Sequence, residues 1–187
     1  MLIKTGLTNG VLDTFYSQMT QDTIVNNDWK IIKRPNHLIL GKTSIDKKSV
    51  IMSDHVPFIE HFYDRLYNRN FTSILFGGLG LGVLPYLVQS FCTRIDVVEI
   101  DQQNIDLITN NTNYLDPKVN IIHDDIFSYT TSEIYDVILI DLWSVRTPDI
   151  DAEVSILENK YASNVSSDGL LYFPISKLPT SPSCPTC

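Results

Sequence analysis

Cysteine is scarce: three residues in 187, with Cys92 far from Cys184 and Cys187. Such spacing makes no disulfide framework and fits a reducing compartment. Positive charge is also in deficit, because 14 Lys and Arg face 22 Asp and Glu for a formal net charge of −8. Affinity for a phosphate backbone rests largely on Lys and Arg, so a nucleic-acid partner is not expected. No apolar run is long enough to cross a bilayer, and Met1 to Gly10 lacks the basic then strongly apolar pattern of a signal peptide. The expectation is a cytoplasmic protein with no membrane attachment. Internal repeats and low-complexity stretches are absent as well. What the chain does have is 43% hydrophobic content, enough for one ordinary domain with a real core.

Along the chain, Leu12, Phe15, Tyr16 and Met19 recur at helical spacing and predict a short amphipathic helix over Val11–Met19. Trp29 to Ile32 and His37 to Leu40 flank the turn signal Arg34-Pro35-Asn36, and Ser49 to Met52 is a third short run. These predict an antiparallel segment of about three strands, so residues 1–52 are set apart from a main domain over 53–175. Ser53 or Asp54 can cap a helix with Pro57 in its first turn and Ile59, Phe62, Tyr63, Leu66 and Tyr67 on one face. Residues 176–187 form a Ser/Pro/Cys tail expected to be flexible.

The centre of the sequence is Ser73-Ile74-Leu75-Phe76-Gly77-Gly78-Leu79-Gly80-Leu81-Gly82, followed by Ile95-Asp96-Val97-Val98-Glu99-Ile100-Asp101. It reads as buried strand, glycine turn, helix (Leu84, Leu87, Val88, Phe91) and second strand ending in a carboxylate. Glycines spaced this way let the backbone approach a ligand, and Glu99, 21 positions after Gly78, suits a ribose diol. Asp101 can cap a helix with Ile105, Ile108 and Thr112 on one face. Val119 to Ile122 is a third strand ending at His123-Asp124-Asp125, and Tyr135 to Ile140 is a continuous apolar run ending at Asp141. Val154, Leu157, Tyr161 and Val165 outline another helix, ended by Ser167-Asp168-Gly169, before a fifth strand at Leu170 to Phe173. Strands alternating with helices at this interval predict an α/β fold with a doubly wound, mainly parallel, Rossmann-like sheet of about five strands. Ligands then bind beyond the carboxyl ends of the strands, where Gly78 to Gly82, Glu99, Asp125 and Asp141 all fall. The turn spacing is G-x-G-x-G, and Pro85 stands where a third dinucleotide glycine would be, which disfavours a nicotinamide cofactor.

Over roughly Val50 to Phe173 the chain resembles the class I S-adenosylmethionine-dependent methyltransferases, in particular the branch of spermidine synthase-like proteins. The motifs that carry the resemblance are Phe76 to Gly82, Val97 to Asp101, and His123-Asp124-Asp125-Ile126 with Tyr135 to Asp141 behind it. The resemblance implies S-adenosylmethionine as cofactor and methyl transfer to a small molecule. Gly77, Gly78, Gly80 and Gly82 would line its methionine and ribose portions. Glu99 would hold the ribose hydroxyls with Ile100 beside it, Asp125 would accept from the adenine amino group, and Ile126 would lie against the ring. Leu79 and Leu81 occupy the turn where aminopropyltransferases of this branch carry an acidic residue, which weakens the polyamine alternative. Pro174 to Cys187 are too few for the helix and hairpin that usually complete such a sheet. Either the fold stops at five strands, or the edge is covered by a second copy in a homodimer or by the amino-terminal segment. A non-catalytic protein retaining the fold stays open on the same ground.

Asp141 and Trp143 are the candidate catalytic residues. Methyl transfer needs alignment and, for an amine or hydroxyl acceptor, a proton acceptor; an ionised Asp141 supplies one and also borders the cofactor. Trp143 offers a ring to a planar or cationic substrate. The plain alternatives are a turn cap for Asp141 and packing for Trp143. His55, His61 and His123 have no metal-ligand spacing, and Cys184-Pro185-Thr186-Cys187 has no second ligand pair, so no metal is expected.

Overall fold

The computed structural model describes residues 71–143 and 149–174 continuously, together with residues 14, 15, 17, 18, 21, 23–26, 28–34, 37–42, 50–53, 62 and 66. Of residues 34, 37–39, 42 and 50–53 only the backbone is described. The described residues form two sheets. The first is antiparallel, in the order β1-β2-β3-β4, built from β1 (Thr23–Asn26), β2 (Trp29–Arg34), β3 (His37–Lys42) and β4 (Val50–Ser53). The runs read from the sequence are β2, β3 and β4. Thr23–Asn26 adds a fourth strand, paired from Thr23↔Ile32 to Asn26↔Trp29. Ile24, Trp29, Ile31 and Leu40 turn inward and share one hydrophobic core with Ile105, Leu107 and Ile108 of the main domain.

The second sheet is parallel throughout, in the order β7-β6-β5-β8-β9. Its strands are β5 (Ser73–Gly77), β6 (Arg94–Glu99), β7 (Val119–His123), β8 (Tyr135–Ile140) and β9 (Val165–Tyr172). The helices between them are α1 (Val83–Val88), α2 (Gln102–Asn111) and α3 (Ile150–Tyr161). Successive strand residues point to opposite faces. Ile74, Phe76, Val97 and Leu139 therefore enter the core under α1 and α2, whereas Leu75, Val98, Ile138 and Ile140 enter a second core with Leu157 and Tyr161 of α3. That two-sided burial explains the unbroken apolar runs in β5 and β8. The chain leaves β5 in one direction to build β6 and β7, then crosses back to build β8 and β9. The order thus reverses beside β5, where the glycine turn begins.

One boundary differs from expectation. The helix read through Val165 ends at Tyr161, a 3-10 turn covers Ala162–Asn164, and Ser167-Asp168-Gly169 lie inside β9. The Tyr161 hydroxyl donates to the Ile126 carbonyl at 2.8 Å and so pins the helix end. Val165 is already opposite Tyr135, and between there and the pair Val137↔Leu170 the strand bulges. Gly169 lies in that bulge so close to the Asp136 carbonyl that an added Cβ would sit 2.8 Å from it.

Of the predicted helix over 11–19, residues 14, 15, 17 and 18 are helical, and Phe15 is buried. Of the helix read over 54–67, Phe62 and Leu66 are helical and buried. The remaining positions of both, His55, His61 and the tail 176–187 with its C-x-x-C lie outside the described residues. Among the described residues no helix is long and apolar enough to cross a membrane, and no group of three His, Cys, Asp or Glu is placed to hold a metal ion.

Candidate functional site

The glycine turn is held at the end of β5 by both neighbouring strands. Gly78 N–H donates to the Val98 carbonyl at 2.8 Å, and Asp141 N–H donates to the Gly77 carbonyl at 3.0 Å. Gly78, Gly80 and Gly82 have φ of 99°, 50° and 71°, the left-handed region where a side chain is strained. A Cβ on Gly78 would also stand 3.0 Å from the Asp141 carbonyl. Leu79 and Leu81 point into the core, 4% and 0% exposed, so the outer surface of the turn is backbone. The Tyr114 hydroxyl donates to the Leu81 carbonyl at 2.6 Å and braces the turn from below.

Glu99 ends β6 beside this turn. Its Oε2 accepts from Leu79 N–H at 2.9 Å, and its Oε1 accepts from Asp101 N–H at 2.9 Å. Asp101 caps α2 as the sequence suggests, accepting through Oδ1 from Gln103 N–H at 2.9 Å and Asn104 N–H at 3.4 Å. Asn104 was not among the residues singled out from the sequence. It is 2% exposed, and its Nδ2 donates to the Gly80 carbonyl at 3.2 Å and to Glu99 Oε2 at 3.4 Å. Its Oδ1 is buried with no partner among the described residues, a situation that costs about 1–3 kcal/mol. A signal existed, since Asn104 shares a helical face with Leu107 and Ile108, where a polar residue is out of pattern.

At the end of β7, Asp125 Oδ1 accepts from Phe127 N–H at 2.9 Å and organises a tight turn over 125–129. Ile126 in that turn is 4% exposed and packs against Gly77, within the core on the α3 side. Ile100 is 64% exposed, with its carbonyl accepting from His123 Nε2 at 3.0 Å. The structure thus brings the glycines, Glu99, Ile100, Asp125 and Asp141 to the carboxyl end of one sheet, and it sets Ile126 beneath them.

Asp141 follows β8, and among the described residues its carboxylate has no hydrogen-bond partner. Burial pushes its carboxyl up from 3.8 to about 6. Leu142, partly exposed, reaches to 3.5 Å from the Cβ position of Gly78. Trp143 turns toward α3: its Nε1–H donates to Glu153 Oε2 at 2.6 Å, and its ring lies 6.4 Å from that of Phe173. Its position is therefore fixed by packing and by one charge-assisted hydrogen bond.

Two further acids sit away from this end and hold strands together. Asp136 Oδ2 accepts from the N–H and hydroxyl of both Thr72 and Ser73 at 2.8–3.1 Å, tying the amino ends of β5 and β8. Burial alone would raise its carboxyl, but these bonds outweigh that and hold it low. Asp96 is buried in β6 with Tyr135, Asn120 and Arg94 as donors, and Arg94 continues to Glu133. Both Asp96 oxygens have donors, which is what a structural network requires.

No protein-family model matches the sequence, and no curated protein does. Solved structures do match in fold. The N-methyltransferase NodS from Bradyrhizobium japonicum WM9 superposes with a TM-score of 0.51 at 18% identity, covering 64% of this chain and 69% of its own. An S-adenosylmethionine-dependent methyltransferase from Clostridium acetobutylicum ATCC 824 gives 0.53 at 14% identity, covering 64% and 50%. A ribosomal protein L11 methylase from Lactobacillus delbrueckii subsp. bulgaricus gives 0.50 at 13%, covering 62% and 56%. The chain thus spans about half the length of the last two. With its parallel five-stranded sheet, reversal beside β5 and glycine turn, this chain has the Rossmann-like fold of the class I methyltransferases.

Proposed function

We propose that the chain binds S-adenosylmethionine over the carboxyl ends of β5 to β8 and catalyses transfer of its methyl group to a small-molecule acceptor. The observation that carries this reading is the Glu99 carboxylate, fixed by two N–H donors at 2.9 Å beside three left-handed glycines. The donor set fits a methionine nucleoside: a carboxylate for a diol, the Asp125 carboxylate for an amino group, an exposed apolar Ile100, and a turn that presents only backbone.

When bound, the cofactor supplies an electrophilic methyl on a sulfonium sulfur. Gly77, Gly78, Gly80 and Gly82 line its methionine and ribose portions, Glu99 holds the ribose hydroxyls, and Asp125, Ile100 and Ile126 serve the adenine. Asp141 takes the proton that an amine or hydroxyl acceptor loses. A carboxyl raised to about 6 is still mostly ionised at neutral pH and is a better base than an ordinary aspartate. Trp143, held by Glu153, offers ring surface to a planar acceptor. The net charge of −8 favours a small molecule over a nucleic acid. A cytoplasmic setting and a second copy at the β9 edge belong to the same proposal.

The spermidine synthase-like alternative, aminopropyl transfer from the decarboxylated cofactor, needs an acidic side chain in the turn. Leu79 and Leu81 face the core there and provide none. Calorimetric titration with S-adenosylmethionine, S-adenosylhomocysteine and decarboxylated S-adenosylmethionine separates the readings. Tighter binding of the first two supports methyl transfer, and tighter binding of the third supports aminopropyl transfer. No binding of any of them at millimolar concentration leaves a non-catalytic protein that retains the fold.

A further inference from the structure

We infer that Asn104 is a positioning residue of the nucleoside site, locking the Glu99 carboxylate to the glycine turn in the orientation a vicinal diol requires. The assignment rests on the cofactor reading above. Both groups that Asn104 Nδ2 approaches, the Gly80 carbonyl at 3.2 Å and Glu99 Oε2 at 3.4 Å, are acceptors only. The amide orientation is therefore fixed by its partners, with nitrogen toward the turn and oxygen left unpaired.

The fold does not explain this side chain. Asn104 is 2% exposed on the face of α2 that also carries Leu107 and Ile108, and a leucine there would remove the unpartnered amide oxygen along with the donor to the Gly80 carbonyl, two changes that offset each other in stability. The helix start is also already provided for, because Asp101 caps it through both Gln103 and Asn104 backbone N–H groups. What the amide does is connect two things nothing else on α2 connects: a carbonyl inside the turn and the acid at the end of β6. Leu79 N–H and Asp101 N–H fix one oxygen each of Glu99, and the Asn104 contact adds a third donor from a different element. A carboxylate has about four acceptor positions, so about one is left to accept a ribose hydroxyl hydrogen, on a group that no longer rotates.

The test is calorimetric titration of the wild-type protein, Asn104→Leu and Asn104→Ala with S-adenosylhomocysteine and with its 2′,3′-dideoxy counterpart, alongside thermal melts. The expected result is that Asn104→Leu melts no lower than wild type, binds S-adenosylhomocysteine about tenfold more weakly and binds the dideoxy ligand within about twofold of wild type. Equal affinity of both variants and wild type for S-adenosylhomocysteine overturns the assignment. So does the same fractional loss for both ligands, or failure of both variants to fold, since either makes Asn104 a residue of the fold. If the wild-type protein itself binds neither ligand, the cofactor reading fails and the assignment falls with it.

Discussion

The Trp29 indole N–H donates to Asp101 Oδ2 at 3.0 Å, joining the amino-terminal sheet to the residue that both caps α2 and donates its own N–H to Glu99. Phe15 reinforces the junction, with its ring 4.7 Å from that of Tyr114, whose hydroxyl braces the glycine turn. The small antiparallel sheet is therefore part of the scaffold beneath the site.

Trp29→Phe retains most of the buried apolar surface but removes the donor to Asp101. It is expected to lower stability by about 1–2 kcal/mol and to weaken S-adenosylhomocysteine several-fold. Denaturant unfolding and calorimetry check the two effects separately. A stability loss with unchanged affinity would mean that the sheet supports the fold alone.

Asp141 gives a pH dependence whose sign follows from burial. Its carboxyl is raised from 3.8 to about 6 in the folded chain. The native state thus holds the proton more tightly than the unfolded one, and ionisation costs stability. The cost is absent below about pH 4, grows between about pH 4 and 6, and is complete above that, reaching of order 3 kcal/mol. The stability of Asp141→Asn relative to wild type should accordingly rise by that amount between pH 4 and 7, read from unfolding curves. A flat difference across this range would show that the Asp141 carboxyl is not raised.

The same residue separates binding from turnover. Asp141→Ala should keep cofactor affinity within a few-fold and lower methyl transfer by about 10²–10⁴, as expected for loss of a proton acceptor. Wild-type kcat/KM should climb with pH through about 6 as the free protein's carboxyl ionises. Full activity in the alanine variant would remove Asp141 from the chemistry.

Gly169→Ala is the contrasting case. A Cβ there would stand 2.6 Å from Val165 Cγ1 and 2.8 Å from the Asp136 carbonyl, at the end of β8 opposite the glycine turn. Overpacking of this kind costs about 1–3 kcal/mol. The variant should melt several degrees lower and bind S-adenosylhomocysteine as the wild type does. A loss of affinity equal to that of a site variant would place the bulge in the binding machinery.

Much of this was legible in the sequence, for physical reasons that differ between elements. β5 and β8 are covered on both faces, so their apolar runs stand out. Asp101 is a capping residue in front of a patterned helix, and Glu99 sits at a strand end whose position the glycines fix. Other features left little trace. β1 is four residues long, and only Ile24 of its apolar pair turns inward, while Val25 is 57% exposed. The bulge in β9 puts Ser167, Asp168 and Gly169 inside a strand although they read as a helix stop. Trp143 pairs with Glu153 and Asn104 bridges Gly80 to Glu99. The partners in those contacts come from tertiary packing across elements, so the pattern of α2 marks Asn104 as out of place without naming what it touches.

Calorimetric titration of the wild-type protein and Glu99→Ala with S-adenosylhomocysteine addresses the nucleoside site itself. The wild type should bind with a dissociation constant in the micromolar range, and Glu99→Ala should show no heat of binding at ligand concentrations about a hundredfold higher, a loss of about 3 kcal/mol or more. Binding by Glu99→Ala as tight as that of the wild type would mean that the ribose does not sit at the end of β6.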